Sequence, residues 1–310
     1  MGVIAAPAIA AEAPAKLPTR TLGRTGITVP ILGFGSGSRF LMYKEEDKAL
    51  EALTRAIDAG ITYIDTANSY GDGLSEERVG KVTASRRKEV TLATKINARK
   101  AEDARRQIEA SLKRLQTDHL DVLHIHQLKG EEDLAEIEAK GGVLEALYEA
   151  REKKLTRAIG ISCHAAPVAL QTALERHDFD CTQMALNAGM ARMAEAPKGM
   201  KATLAGEKSF ERLALPVALR KKLGVIAMKV FGQEQLIGAA SPEQLLRYSL
   251  SLPVSLASVG MPRLEQIQSN VTVAKSFTPM TEGERHKLTE SIEAAKKLAL
   301  LDFFRDHVDV

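Results

Sequence analysis

Short apolar runs and helix-like stripes alternate through this chain, and that recurrence constrains its fold more than any motif. The runs end at Gly35, Asp65, Lys95, His126, Ser162, Asn187, Lys229 and Val259. The first three gaps are 30, 30 and 31 residues. One strand with its crossover helix needs about 30. Between the runs, apolar residues keep helical spacing, as in Ala49, Leu50, Leu53, Ala56 and Ile57, and again in Ala104, Ile108, Leu112 and Leu115. Eight such steps without a break in composition predict one α/β domain, a closed (β/α)8 TIM barrel, and not two doubly wound halves.

Local punctuation agrees with that reading. Gly60 stands where a helix would end, and Pro167 where one would begin. Ser75 followed by Glu76 and Glu77 reads as an N-cap with an acidic first turn. Ser241 with Gln244, and Thr281 with Glu284, are capping boxes. The stretch from Thr19 to Pro30, with Gly23 and Gly26 between β-type residues, predicts an N-terminal β-hairpin. The pattern from Thr281 through Leu288, Ile292 and Ala295 predicts a C-terminal helical extension. Residues 1–16 are set apart as an Ala/Pro-rich tail, and 17–310 as the barrel. The tail carries a small-x-small triplet, Ala8-Ile9-Ala10, but no basic segment before it. A cytoplasmic location is therefore expected, with export through a truncated signal peptide as the alternative. Residues 188–209, with Met190, Met193, Met200, Lys198 and Lys201, are expected to form an extended loop. Together with Arg39 to Tyr43 and the C-terminal tail, that loop is expected to line a substrate pocket.

Composition removes several function classes. A net charge of +3 over 310 residues is too small for a dedicated nucleic-acid binder. No run approaches the ~18 apolar residues of a membrane span. Cys163 and Cys181 are the two cysteines, too few for a disulfide framework. Trp is absent. The expected partner is a small molecule, not a nucleic acid or a membrane; the oligomeric state is left open.

In a barrel, polar residues at the strand C-termini are the first candidates for chemistry. Asp65, Lys95 and His126 end consecutive strands, and Tyr70 follows Asp65 by five residues. A carboxylate can hold the ammonium, and an ammonium beside a phenol favours phenolate. Such a Tyr can exchange a proton with a carbonyl oxygen that a neutral His orients. None of the four supplies electrons, so a nicotinamide cofactor is the missing partner.

These residues sit in recognisable surroundings. The stretch from Gly60 through Asp65-Thr66-Ala67 to Tyr70-Gly71 resembles the aldo-keto reductase signature G-x-x-x-x-D-T-A-x-x-Y-G. Leu92-Ala93-Thr94-Lys95, Ser111-Leu112-Lys113-Arg114-Leu115, Leu120-Asp121 with His126, Ile159-Gly160-Ile161-Ser162 and Gly260-Met261-Pro262-Arg263 with Asn270 are similar to further segments of that superfamily. The resemblance spans about residues 19–278. It implies NAD(P)H-dependent reduction of an aldehyde or ketone, with Tyr70 as acid/base, Asp65 and Lys95 tuning it, and His126 orienting the carbonyl. It further implies a cofactor held by Ser162, Cys163, Gln183, Met228, Gly232, Arg263, Gln266 and Asn270. Cys163 stands where the family has Asn, and Met228 where many members stack a Tyr. Arg263 favours NADP, with NAD as the alternative.

Two other readings compete. His124 and His126, two apart on one strand, share a face. With His164 and Asp65 they could serve a metal-dependent barrel hydrolase, although no metal is expected. A non-catalytic NADP-binding accessory subunit is the other. Gly33, Gly35 and Gly37 lack the G-x-G-x-x-G spacing of a Rossmann loop.

Overall fold

The computed structural model describes residues 16–196, 199–204, 209–232, 234 and 236–292. Expectations placed on residues 1–15, Lys198, Ala295 and the C-terminal tail lie outside them, as do the side chains of Met193, Met200 and Lys201. A hairpin comes first, β1 (Thr19–Thr21) against β2 (Thr28–Pro30). Next come β3 (Leu32–Gly35), α1 (Glu46–Asp58), β4 (Tyr63–Asp65), α2 (Leu74–Thr83), β5 (Thr91–Ile96), α3 (Ala101–Arg114) and β6 (Leu120–Ile125). Two helices, α4 (Glu131–Glu138) and α5 (Val143–Glu152), then lead to β7 (Thr156–Cys163), and α6 (Pro167–Arg176) to β8 (Cys181–Ala185). A second hairpin, β9 (Ala191–Ala196) with β10 (Gly199–Leu204), precedes α7 (Ala214–Arg220) and β11 (Gly224–Met228). The described elements end with α8 (Pro242–Ser251), β12 (Leu256–Val259), α9 (Leu264–Lys275) and α10 (Glu282–Ser291).

Eight parallel strands close a barrel in the order β3-β4-β5-β6-β7-β8-β11-β12, and β12 pairs back with β3. Alternation along each strand sorts the core into two groups. Tyr63, Ala93, Val122, Ala158, Ile226 and Leu256 pack together inside the barrel. Their neighbours Ile64, Leu92, Leu123 and Ile159 belong to the layer between sheet and helices. Leu22, Ile27 and Val29 of the N-terminal hairpin join the inner group and plug one end of the barrel. Gly23 makes that plug fit. Its φ is +53°, and a Cβ there would lie 2.1 Å from the Gly224 nitrogen.

Two expectations need correction. In place of the extended loop expected over 188–209, the described residues form a hairpin: β9 and β10 pair antiparallel from Ala191 with Leu204 to Ala196 with Gly199. Ser75 is not an N-cap. The helix starts at Leu74 with Gly73 as its cap, and the buried Ser75 hydroxyl donates to the Ser36 carbonyl and contacts the Thr66 hydroxyl. Both capping boxes, at Ser241 and Thr281, are present.

Candidate active site

Asp65 is the last residue of β4, and Lys95 lies one short of the end of the adjacent β5. In the parallel register Asp65 pairs with Ala93, and Lys95, two residues further on and of the same parity, reaches it through its long side chain. Lys95 Nζ donates to Asp65 Oδ1 at 2.7 Å and to the Thr66 carbonyl at 2.9 Å. Both residues are buried. A buried ion pair is tolerable only when its remaining hydrogen-bonding capacity is met. Here Asp65 Oδ2 accepts from Gln183 Nε2 at 2.9 Å and from Ser258 Oγ at 3.2 Å, so donors from three other strands engage both carboxylate oxygens.

Tyr70 enters from a tight turn. Gly71, Asp72 and Gly73 all have positive φ, which folds the chain back over the strand ends. The Tyr70 ring centroid lies 5.2 Å from Lys95 Nζ, and it meets His126 edge-on at 5.4 Å. Gly37 leaves it room: a Cβ there would sit 3.2 Å from the ring. His126 follows β6 directly, its Nδ1 3.3 Å from Ser69 Oγ. The four residues expected to carry the chemistry are thus neighbours.

His124 lies in the layer beneath. It pairs in register with Lys95 and is fully buried. Burial, reinforced by the Lys95 charge, pushes its pKa down to about 3. It is a neutral imidazole walled into the barrel. Among the described residues, no three His, Cys, Asp or Glu side chains form a group that could hold a metal.

A cleft at the strand C-termini is lined by Gly35, Asp65, Tyr70, Gln183, Met228 and Ser258, and continues past Phe231 and Glu234. Gln183 and Met228 are therefore neighbours of the four. Ser162 is buried beside them in the sheet, its Oγ accepting from the Gln127 amide. Cys163 does not line the cleft; its thiol faces the Leu128 carbonyl at 3.2 Å and accepts from the Ala166 amide. Strand alternation aims it away from Ser162. Gly232 sits in the turn after β11 at φ +53°. Arg263 is the N-cap residue of α9, and Gln266 and Asn270 lie on that helix.

The family model described as the aldo/keto reductase family matches residues 31–233. This chain belongs to the aldo/keto reductase family. Aldo-keto reductase YhdN of Bacillus subtilis is 38% identical over 157 residues, 46% of each chain. Aldo-keto reductase yakc [NADP(+)] of Schizosaccharomyces pombe is 32% identical over 176 residues, covering 51% of this chain and 49% of the relative. The chain thus matches about half the length of these curated relatives. The fold is that of a solved aldo-keto reductase from Klebsiella pneumoniae in complex with NADPH. That comparison gives a TM-score of 0.69 at 23% identity, over 90% of this chain and 95% of the other. Among the described residues, no helix is long and apolar enough to cross a membrane.

Three residues of this candidate site escaped the sequence. Ser258 has the right inward parity on β12, so alternation could have found it. Ser69 lies inside the signature segment, but no motif marks it as a partner of His126. Glu234 has no local signal at all.

Proposed function

We propose that this chain reduces an aldehyde or ketone to the alcohol with NADPH, Tyr70 acting as the proton donor. The observation that carries the reading is the convergence of Lys95, Asp65 and His126 around Tyr70, with Tyr70 and Asp65 lining a cleft that also contains Gln183 and Met228. Unmet buried atoms support the cofactor. Gln183 Oε1, Gln266 Oε1 and Asn270 Nδ2 have no hydrogen-bond partner, and buried polar groups left unpaired are costly unless a ligand meets them. Gln183, Met228 and Ser162 would hold the nicotinamide end, Gly232 the pyrophosphate, and Arg263, Gln266 and Asn270 the adenosine end. Arg263 favours a 2′-phosphate. Cys163, turned away from the cleft, is given no part.

A nicotinamide held in this cleft would supply the hydride for the carbonyl carbon. Tyr70 Oη delivers the proton to the oxygen, and the neighbouring ammonium of Lys95 stabilises the phenolate that remains. Asp65 fixes that ammonium. His126 sits at the Tyr70 ring edge, where it can orient the carbonyl oxygen. The substrate is therefore a small carbonyl compound. The test is Tyr70→Phe. Turnover should fall about 10²- to 10⁴-fold, with NADPH affinity by titration calorimetry unchanged. A variant as active as the parent would end the assignment.

A further inference from the structure

The end of the cleft where a 2′-phosphate would bind already contacts an anion that belongs to the chain. Glu234 Oε1 lies 3.4 Å from Arg263 Nη2 and accepts from Gln266 Nε2 at 3.3 Å. Its Oε2 lies 3.5 Å from Arg39 Nη1. Arg39 follows β3, Glu234 follows β11, and Arg263 and Gln266 open α9, so one carboxylate ties three separate loops. Glu234 is only partly exposed. Its backbone holds φ +71°, a left-handed conformation that non-glycine residues rarely adopt. Nothing in local propensity favours a glutamate there.

The chemistry then follows from charge. A phosphate monoester carries about −1.5 to −2 near neutral pH, and it would approach Arg263 against a carboxylate already engaged there. A ribose hydroxyl carries no charge and can donate to that same carboxylate. We propose that Glu234 sets this chain's choice between phosphorylated and unphosphorylated dinucleotides. It competes with the 2′-phosphate for Arg263 and Gln266, and it accepts a hydrogen bond from the 2′-hydroxyl when no phosphate is present. This rests on the reductase reading above, and it adds that the preference conferred by Arg263 is held down from within.

Calorimetric titration of the full chain tests it. NADPH, NADH, 2′,5′-ADP and 5′-AMP are titrated into the parent and into Glu234→Gln. The Kd ratio of NADPH to NADH should fall fivefold or more in the variant, and the ratio of 2′,5′-ADP to 5′-AMP should fall with it. A change smaller than fivefold, or in the opposite direction, overturns the proposal while leaving the reductase reading intact. Glu234→Ala must move the ratio in the same direction as Glu234→Gln; movement the other way overturns the proposal too. Arg263→Gln must weaken NADPH more than NADH. Equal weakening also overturns the proposal, because the phosphate is then not read there. If neither dinucleotide binds the folded parent or the variants, the reductase reading itself falls.

Discussion

Gln183 reaches across the barrel mouth from β8, its Nε2 2.9 Å from Asp65 Oδ2, while Lys95 on the adjacent β5 occupies Oδ1 at 2.7 Å. The carboxylate is thereby a fixed negative charge with little water around it. Removing the cation exposes what that arrangement costs. Lys95→Met leaves Asp65 buried with two neutral donors, and breaking a buried pair in this way costs about 3–5 kcal/mol. Urea unfolding near neutral pH should show a loss of that order, together with loss of carbonyl turnover. A loss below about 1 kcal/mol, the range of exposed pairs, would mean that the pair is hydrated.

His124 gives the fold a defined weakness to acid. Its folded pKa is pushed down to about 3 by burial and then by Lys95, while an unfolded His titrates near 6.5. Between those values the unfolded chain binds a proton that the folded chain refuses. Stability therefore falls as pH drops from about 6.5 toward about 3, by at most about 1.4 kcal/mol per pH unit from this group. Above about 6.5 this histidine adds no slope. The unfolding free energies of the parent and of His124→Leu should differ by a constant above pH 7, and the variant should gain on the parent below pH 6. Parallel curves down to pH 4.5 would refute this.

Much of this was legible because a barrel strand is buried on both faces and must read as an apolar run. The ends expected at Gly35, Asp65 and Val259 are the ends found. The placing of Lys95 and His126 was legible for the same reason, since strand C-termini share one rim, and that of Tyr70 from its short distance after Asp65 in the signature segment. What stayed hidden depends on distant partners or on weak propensity. The β9–β10 hairpin draws more than half its residues from Ala, Glu, Gly and Lys, which are depleted in strands. Ser75 looks like a cap because its true partners, Thr66 and Ser36, are 9 and 39 residues away. Glu234 meets Arg263 and Gln266 from 29 and 32 residues away, with no motif to announce it.

Metal removal separates the reductase from the hydrolase alternative. The histidine pair that suggested a metal is split by depth, His124 inside the barrel and His126 against Tyr70. Both oxygens of Asp65 are already engaged, by Lys95, Gln183 and Ser258. Metal ligands need free lone pairs and an open position. Dialysis against EDTA should leave NADPH-dependent carbonyl turnover unchanged. Activity lost to the chelator and restored by zinc would count decisively against the proton-relay reading.

Gly160 tests whether the layer beneath the site supports it. A Cβ at this position would lie 2.6 Å from His124 Nδ1, 2.6 Å from the Cys181 carbonyl oxygen and 2.8 Å from Cys181 Sγ. The two side chains could move, but the carbonyl belongs to the β7–β8 ladder and cannot move without disturbing the pairing. Gly160→Ala should therefore destabilise the barrel by about 1–3 kcal/mol, the usual cost of overpacking. His124 can yield only by shifting within the barrel interior, where Lys95 is its register partner, so turnover should fall along with stability. Shortening Cys181 to Ala in the same chain removes the sulfur contact but not the carbonyl one. The double variant should recover part of the lost stability and no more. Wild-type unfolding and turnover in Gly160→Ala alone would show that the strands yield more easily than a closed ladder allows.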